Sequence, residues 1–104
     1  MLKGQVWLAE FNGEGSEQHG FRPCIIVQNN DNNAHSNTTI VCPITKAVKS
    51  YNKTHVPVKL KFESNVLCEQ IRVIDKKKLA RYLLTVSADT MAEIESKIKI
   101  ALGM

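Results

Sequence analysis

The segment that decides the fold class runs from Thr38 to Ile44 and has the sequence Thr-Thr-Ile-Val-Cys-Pro-Ile. Its β-branched residues favour an extended chain, so a strand is predicted here, with Pro43 marking its end or an edge bulge. Apolar runs predict further strands at Val6–Phe11 and Cys24–Val27, the second one starting after Pro23. The N-terminal half of the chain is therefore expected to be mainly β.

The C-terminal half adds strands and one clear helix. From Val56 to Phe62 apolar and polar residues alternate, as is typical of a half-exposed strand, and Pro57 on the polar side favours a sheet edge. Another strand is predicted within Val66–Ile74, and a helical turn at Lys76–Ala80. The last element begins at the N-cap Ser87, continues with apolar residues at helical spacing and stops at Gly103.

These elements predict a mainly β (α+β) fold, in which a small curled antiparallel sheet or barrel carries a C-terminal helix. A length of 104 residues fits a single domain covering residues 1–104. Apolar residues make up 43% and charged residues 23% of the chain, which is ordinary for a globular protein. The sequence shows no signal peptide and no apolar run of about 18 residues, so a cytoplasmic protein without a membrane segment is expected.

The basic residues are concentrated in one part of the chain. The net charge is +4, and the stretch from Gln18 to Phe62 contains six Lys or Arg residues against the single acid Asp31. Such a distribution suits a polyanion such as a nucleic acid, and a solvated lysine loop is the structural alternative.

Several kinds of catalytic site are disfavoured by residue spacing. The three histidines His19, His35 and His55 are scattered, and the phosphate-binding and nucleophile-elbow motifs are absent from the sequence. Cys24 and the other two cysteines, Cys42 and Cys68, are widely spaced in apolar runs and are expected to be reduced core residues. We therefore expect neither a metal nor another cofactor.

Polar residues at the ends of predicted strands remain as site candidates, since loops above a rigid sheet often carry function. Arg22 precedes the second strand, Thr45 follows the third, and Glu69–Arg72 lies in the fifth. An ion pair, a turn hydroxyl and a cross-strand pair are the structural alternatives for these positions.

The segment Gly15–Pro23 has the sequence Gly-Ser-Glu-Gln-His-Gly-Phe-Arg-Pro and resembles the Gly-Ser-Glu-Gln-x-Gly-x-Arg-Pro segment of the MazF/PemK (Kid) toxin family. The resemblance continues in family order over nearly the whole chain. The other matching blocks are Ile26–Asn30, Val41–Thr45, Thr54–Val56 and Glu69–Lys76.

This resemblance implies a small barrel of the PemK/CcdB toxin type and a toxin–antitoxin function. It implies a homodimeric, sequence-selective endoribonuclease, or mRNA interferase, that cuts single-stranded mRNA without a metal. The 2′-OH of the RNA would attack the adjacent phosphate and leave a 2′,3′-cyclic phosphate and a 5′-OH. The implied partner is an antitoxin whose acidic C-terminal peptide occupies the RNA groove.

Carried over by position, Arg22 would contact the scissile phosphate, Thr45 would donate a hydrogen bond to the developing charge, and Glu17 would orient or deprotonate the 2′-OH. One position departs from the Kid branch, in which an Arg thought to be catalytic stands where this chain has Leu67. The candidate RNA-binding residues are Gln18, His19, Lys46, Lys49, Tyr51, Lys53, Lys59, Gln70 and Arg72.

Among the aromatic residues, Trp7, Phe11 and Phe62 are expected in the core, and Tyr51 is the stacking candidate. Two other functions remain open at this point. The same fold serves non-enzymatic, CcdB-like toxins that bind DNA gyrase, and a passive RNA-binding module would show the same basic surface.

Overall fold

The computed structural model describes residues 1–11, 20–46 and 53–104, and in these ranges the chain forms seven strands and two α-helices. The strands are β1 (Gln5–Phe11), β2 (Gly20–Ile26), β3 (Thr38–Thr45), β4 (His55–Lys59), β5 (Glu63–Leu67), β6 (Arg72–Asp75) and β7 (Leu79–Thr85). The helices are α1 (Asn30–His35) and α2 (Ala88–Leu102). Short 3-10 turns at Cys68–Gln70 and Lys76–Lys78 lead into β6 and β7.

All strand pairs of the described residues are antiparallel, in the order β4-β5-β3-β2-β1-β7, and β6 also pairs with β3. Strand β3 changes partner along one edge, because β6 faces Thr38–Val41 and β5 faces Ile44 and Thr45. Pro43 lies at the step between these two partners, a position that suits a residue without an N–H donor. This confirms the predicted curled antiparallel sheet.

The C-terminal helix α2 covers one face of the sheet. The Ser87 hydroxyl accepts a hydrogen bond from the backbone N–H of Thr90, and Gly103 ends the helix with a φ of 73°, in the left-handed region that favours glycine. Ile94 is fully buried and belongs to the core cluster between α2 and the sheet. The other buried members of this first core cluster are Val6, Ile25, Cys42, Ile44, Val56, Val66 and Cys68. Both helix ends agree with the sequence prediction.

A second core cluster on the sheet contains Ala9, Phe11, Cys24, Ile26, Val41 and Ile74. The three cysteines are free and buried, as the sequence predicts. Burial raises the pKa of Cys24 to about 12, so this thiol stays protonated at neutral pH and behaves as a small apolar residue. In the part of the chain that the structure describes, no helix has the length and apolar character needed to cross a membrane.

The start of the second strand was predicted wrongly. The strand was expected to begin at Cys24 because Pro23 cannot donate to a ladder, yet β2 already begins at Gly20. Pro23 lies within β2 opposite Leu8, and Arg22 lies opposite Ala9. Arg22 is therefore held on a strand and not on a loop.

The predicted strand at Val66–Ile74 is in fact two strands, β5 and β6, separated by the 3-10 turn at Cys68–Gln70. The predicted helical turn at Lys76–Ala80 is a 3-10 turn only as far as Lys78, and β7, which the sequence pattern did not predict, begins at Leu79.

Helix α1 was also missed, because its asparagine-rich sequence resembles a chain break. The side chain of Asn29 accepts a hydrogen bond from Asn32 N and caps this helix. The buried Asn33 then anchors it, since its carboxamide donates to the Gln28 carbonyl and accepts from Gln28 and Thr39. Helix α1 is thus held to the sheet by hydrogen bonds of buried amide side chains, and it lacks the apolar face from which helices are usually recognised.

Candidate active site

A cleft of about 700 Å³ is lined by residues from β1, β2, β3, β5, β7 and the turn between β4 and β5. Much of its lining is apolar. Some of these lining residues also pack against the core cluster that lies between the sheet and α2. The apolar lining residues are Leu8, Pro23, Ile44, Leu60, Leu83 and Leu84. Such a surface accommodates the flat, apolar faces of a bound molecule and leaves its charged parts to the polar lining residues.

Arg22 and Thr45 both line this cleft. Backbone pairing brings them to one end of β2 and β3, since Cys24 lies opposite Pro43 and each candidate is two residues further along its strand. Arg22 is exposed, and Thr45 is half-buried opposite Asn65 of β5. A guanidinium and a hydroxyl thus meet in one cleft, as expected if both contact a single phosphate.

The charge of the cleft is positive. Of the described residues that line it, four are cationic and none is acidic, the cations being Arg22, Lys46, Lys61 and Arg81. Arg81 reaches the cleft from β7, where it lies opposite Leu8. The arrangement attracts a ligand that carries several negative charges.

Among the described residues that line the cleft, Phe62 is the aromatic one, and it is 56% exposed. The prediction that Phe62 belongs to the core is therefore wrong. The reason is local: β4 ends at Lys59, so the alternation of the sequence does not continue into the turn that carries Phe62. The Lys46 ammonium lies over this ring, 4.0 Å from the centroid. The prediction for Phe11 is confirmed, because its ring is 2% exposed.

Sequence reasoning also missed Lys61, Ser64 and Arg81 as cleft residues. Arg81 was missed because β7 was not predicted. The pairing of β7 with β1 contains two register shifts, so apolar and polar residues do not alternate regularly along β7. A run of Leu and Tyr residues around Arg81 is the signal that was available.

The other predicted RNA-binding residues are more dispersed. Lys46 lines the cleft, whereas Lys53, Lys59 and Gln70 are exposed outside its lining. Arg72 lies on β6 with its guanidinium carbon 5.1 Å from the centroid of the Phe11 ring, which gives it a packing contact. The remaining candidates, Glu17, Gln18, His19, Lys49 and Tyr51, lie outside the described residues. Leu67, where the Kid branch has an Arg, is 6% exposed and apolar.

A polar cluster joins the start of β4 to the 3-10 turn before β6. The Thr54 hydroxyl donates to Glu69 Oε1 at 2.7 Å, and His55 Nε2 lies 3.0 Å from Glu69 Oε2. Partial burial of Glu69 would raise its pKa, but hydrogen bonds from Thr54, the backbone and His55 outweigh burial and lower that pKa. The ionised carboxylate thus ties the two segments together.

The comparisons with known proteins agree with the geometry. The family model of the PemK-like, MazF-like toxin of type II toxin–antitoxin systems matches residues 2–102. Endoribonuclease MazF of Staphylococcus epidermidis is 40% identical over 109 residues, which cover 98% of this chain and 91% of that protein.

Among solved structures, MazF (Form-I) from Deinococcus radiodurans has a TM-score of 0.86 and 30% identity, covering 100% of this chain and 97% of that one. A mycobacterial endoribonuclease in complex with its cognate antitoxin also has a TM-score of 0.86, with 26% identity and coverage of 100% and 96% of the two chains. Sequence and fold therefore point the same way, and this chain belongs to the PemK-like, MazF-like toxin family of type II toxin–antitoxin systems.

Proposed function

We propose that this protein is an endoribonuclease toxin that cuts single-stranded mRNA at the cleft containing Arg22 and Thr45. The observation that carries the proposal is the meeting of these two motif residues in one cleft whose described charges are all positive. Membership of a family that includes Endoribonuclease MazF of S. epidermidis supports the same activity.

The proposed reaction uses the RNA as its own nucleophile. The 2′-OH attacks the adjacent phosphorus, the bond to the 5′-oxygen breaks, and the products are a 2′,3′-cyclic phosphate and a 5′-OH. A proton leaves the 2′-OH and another reaches the departing 5′-oxygen. The reaction therefore needs proton transfer and charge stabilisation, and it proceeds without a metal-generated nucleophile.

Arg22 and Thr45 supply the charge stabilisation in this scheme. The guanidinium of Arg22 contacts the non-bridging oxygens of the scissile phosphate, for which its fork geometry is suited. The Thr45 hydroxyl donates a hydrogen bond to the charge that develops on the same group. Glu17 is our candidate for the base that orients or deprotonates the 2′-OH, and Gln18 and His19 for neighbouring RNA contacts.

The proposal extends to partners and location. Solved relatives include MazE-MazF complexes from D. radiodurans and a mycobacterial endoribonuclease with its cognate antitoxin. We propose that this chain likewise forms a homodimer and is inhibited by an antitoxin whose acidic peptide covers the cationic cleft. The activity would take place in the cytoplasm, where mRNA is translated.

The test is cleavage of a long single-stranded RNA by the purified protein in the presence of EDTA, with both product ends mapped. We expect discrete cuts with cyclic phosphate and 5′-OH ends, lost in Arg22→Ala and retained in the control Lys99→Ala, which removes an exposed cation from α2. Intact RNA, cleavage abolished by EDTA, or full activity of Arg22→Ala would contradict the proposal. Gyrase inhibition without RNA cleavage would support the non-enzymatic alternative.

A further inference from the structure

Among the aromatic residues that the structure describes, Phe62 is the one that lines the candidate active site. It is 56% exposed, whereas Phe11 is 2% exposed. The neighbouring lining residues Lys46 and Lys61 are cationic. An exposed aromatic ring beside cations is the combination that binds unpaired nucleotides, with the ring facing a base and the cations facing phosphates.

The backbone that carries Phe62 is held in place from both sides. The Phe62 carbonyl accepts a hydrogen bond from Leu60 N at 3.1 Å and another from the Ser64 hydroxyl at 3.1 Å. Ser64 itself is 5% exposed and belongs to β5. The turn therefore presents the ring from a fixed position, which reduces the entropy lost when a ligand stacks on it.

The ring is also connected to the catalytic candidates. Lys46 directly follows Thr45, and its ammonium lies 4.0 Å from the Phe62 ring centroid. This cation–π contact orients the ring, yet more than half of the residue stays exposed. A base stacked on the open part of Phe62 would thus lie in the same cleft as Thr45, whose hydroxyl is proposed to contact the scissile phosphate.

We infer that Phe62 is the stacking platform for a nucleobase adjacent to the scissile phosphate and that it contributes to the choice of cleavage site. This inference rests on the proposed function. Stacking requires an exposed base face, so the platform selects unpaired RNA over a duplex. Because every base has a π-face, the platform accepts any base, and the sequence preference that it adds is modest.

The experiment uses a short RNA containing a mapped cleavage site. A version with a 2′-deoxynucleotide at the scissile position is uncleavable and serves for affinity measurement by fluorescence anisotropy. Wild type is compared with Phe62→Leu, which removes the aromatic face, and with Phe62→Tyr, which keeps it. The matched control is Phe21→Leu, because Phe21 is 59% exposed but does not line the cleft.

We expect Phe62→Leu to weaken binding on the order of tenfold, and Phe62→Tyr and Phe21→Leu to bind like wild type. A second series replaces each base around the scissile phosphate by an abasic site. At one position the abasic RNA should weaken wild-type binding but cause no further loss in Phe62→Leu, since both changes remove the same contact.

The two hypotheses fail in different ways. If wild type cleaves the RNA but Phe62→Leu binds equally well, or if the losses are additive at every abasic position, the stacking inference is wrong and the nuclease function stands. If wild type neither binds nor cleaves single-stranded RNA, the proposed function fails and the stacking inference fails with it.

Discussion

Arg22 on β2 and Thr45 on β3 lie at the same end of their two strands, each two residues beyond the facing pair Cys24 and Pro43. Their relative position is set by the sheet, since Arg22 also lies opposite Ala9 and Thr45 opposite Asn65. Groups fixed on strands hold their geometry more closely than groups on loops. The sheet thus fixes the relative placement of the two side chains that we propose contact the scissile phosphate.

Thr45→Ala should lower the single-turnover rate of RNA cleavage by roughly a hundred- to a thousandfold, because the change removes the hydrogen-bond donor that we propose acts on the transition state. Thr45→Ser keeps the hydroxyl and should retain most of the activity. The rates are measured at saturating protein, together with thermal unfolding of each variant. Equal losses in the Ala and Ser variants would show that packing of the methyl group, and not the hydroxyl, is what matters.

Arg81→Ala should weaken RNA binding without abolishing cleavage, because Arg81 lines the cleft from β7 on the far side of β1 from Arg22. The measurement is the slope of the logarithm of the binding constant against the logarithm of the salt concentration. If Arg81 contacts a phosphate other than the scissile one, this slope should be shallower in Arg81→Ala than in wild type by about one unit. Lys99→Ala on α2 is the control and should leave the slope unchanged. If the salt dependence of RNA binding is the same in Arg81→Ala as in wild type, Arg81 does not contact a phosphate.

Glu69→Gln should destabilise the fold at neutral pH and have less effect in acid. The pKa of Glu69 is lower in the folded protein than its ordinary value of 4.5, so ionisation of this group stabilises the fold above that value. This contribution disappears as the pH falls through the lowered pKa. With the side chain 33% exposed, solvent screening keeps it at about 1 kcal/mol or less.

Thermal unfolding at pH 7 and pH 3 measures this effect. The difference in Tm between wild type and Glu69→Gln should be largest at pH 7 and should shrink at pH 3. The exposed Glu93 on α2 provides the matched control Glu93→Gln, for which no such trend is expected. A constant difference at both pH values would mean that the Glu69 charge contributes nothing to stability.

Much of the fold follows from local sequence patterns. The strand at Val6–Phe11 is recognisable because its apolar run and aromatic residues match a pleated, half-buried surface, and Thr38–Ile44 is recognisable from its β-branched residues. Helix α2 is recognisable from its caps Ser87 and Gly103. Each of these signals lies within the element itself.

The features that sequence patterns miss depend on distant contacts. Helix α1 depends on hydrogen bonds of Asn33 to Gln28 and Thr39, which polar composition alone does not indicate. The site was partly predictable, because motif resemblance pointed to Arg22 and Thr45, and both line the cleft. Arg81 and Phe62 were missed, since Arg81 reaches the cleft through the pairing of β7 with β1 and Phe62 through the turn after β4.

Ile94→Ala should be the most destabilising of the substitutions considered, because Ile94 is fully buried between α2 and the sheet. Removing its side chain leaves a cavity, and such changes cost about 2–5 kcal/mol of unfolding free energy. Ile100 lies on the same helix but is 50% exposed, so Ile100→Ala should cost far less. Urea denaturation of both variants gives the comparison. Similar losses for Ile94→Ala and Ile100→Ala would mean that α2 does not dock through Ile94, and the core that underlies the cleft would then need another explanation.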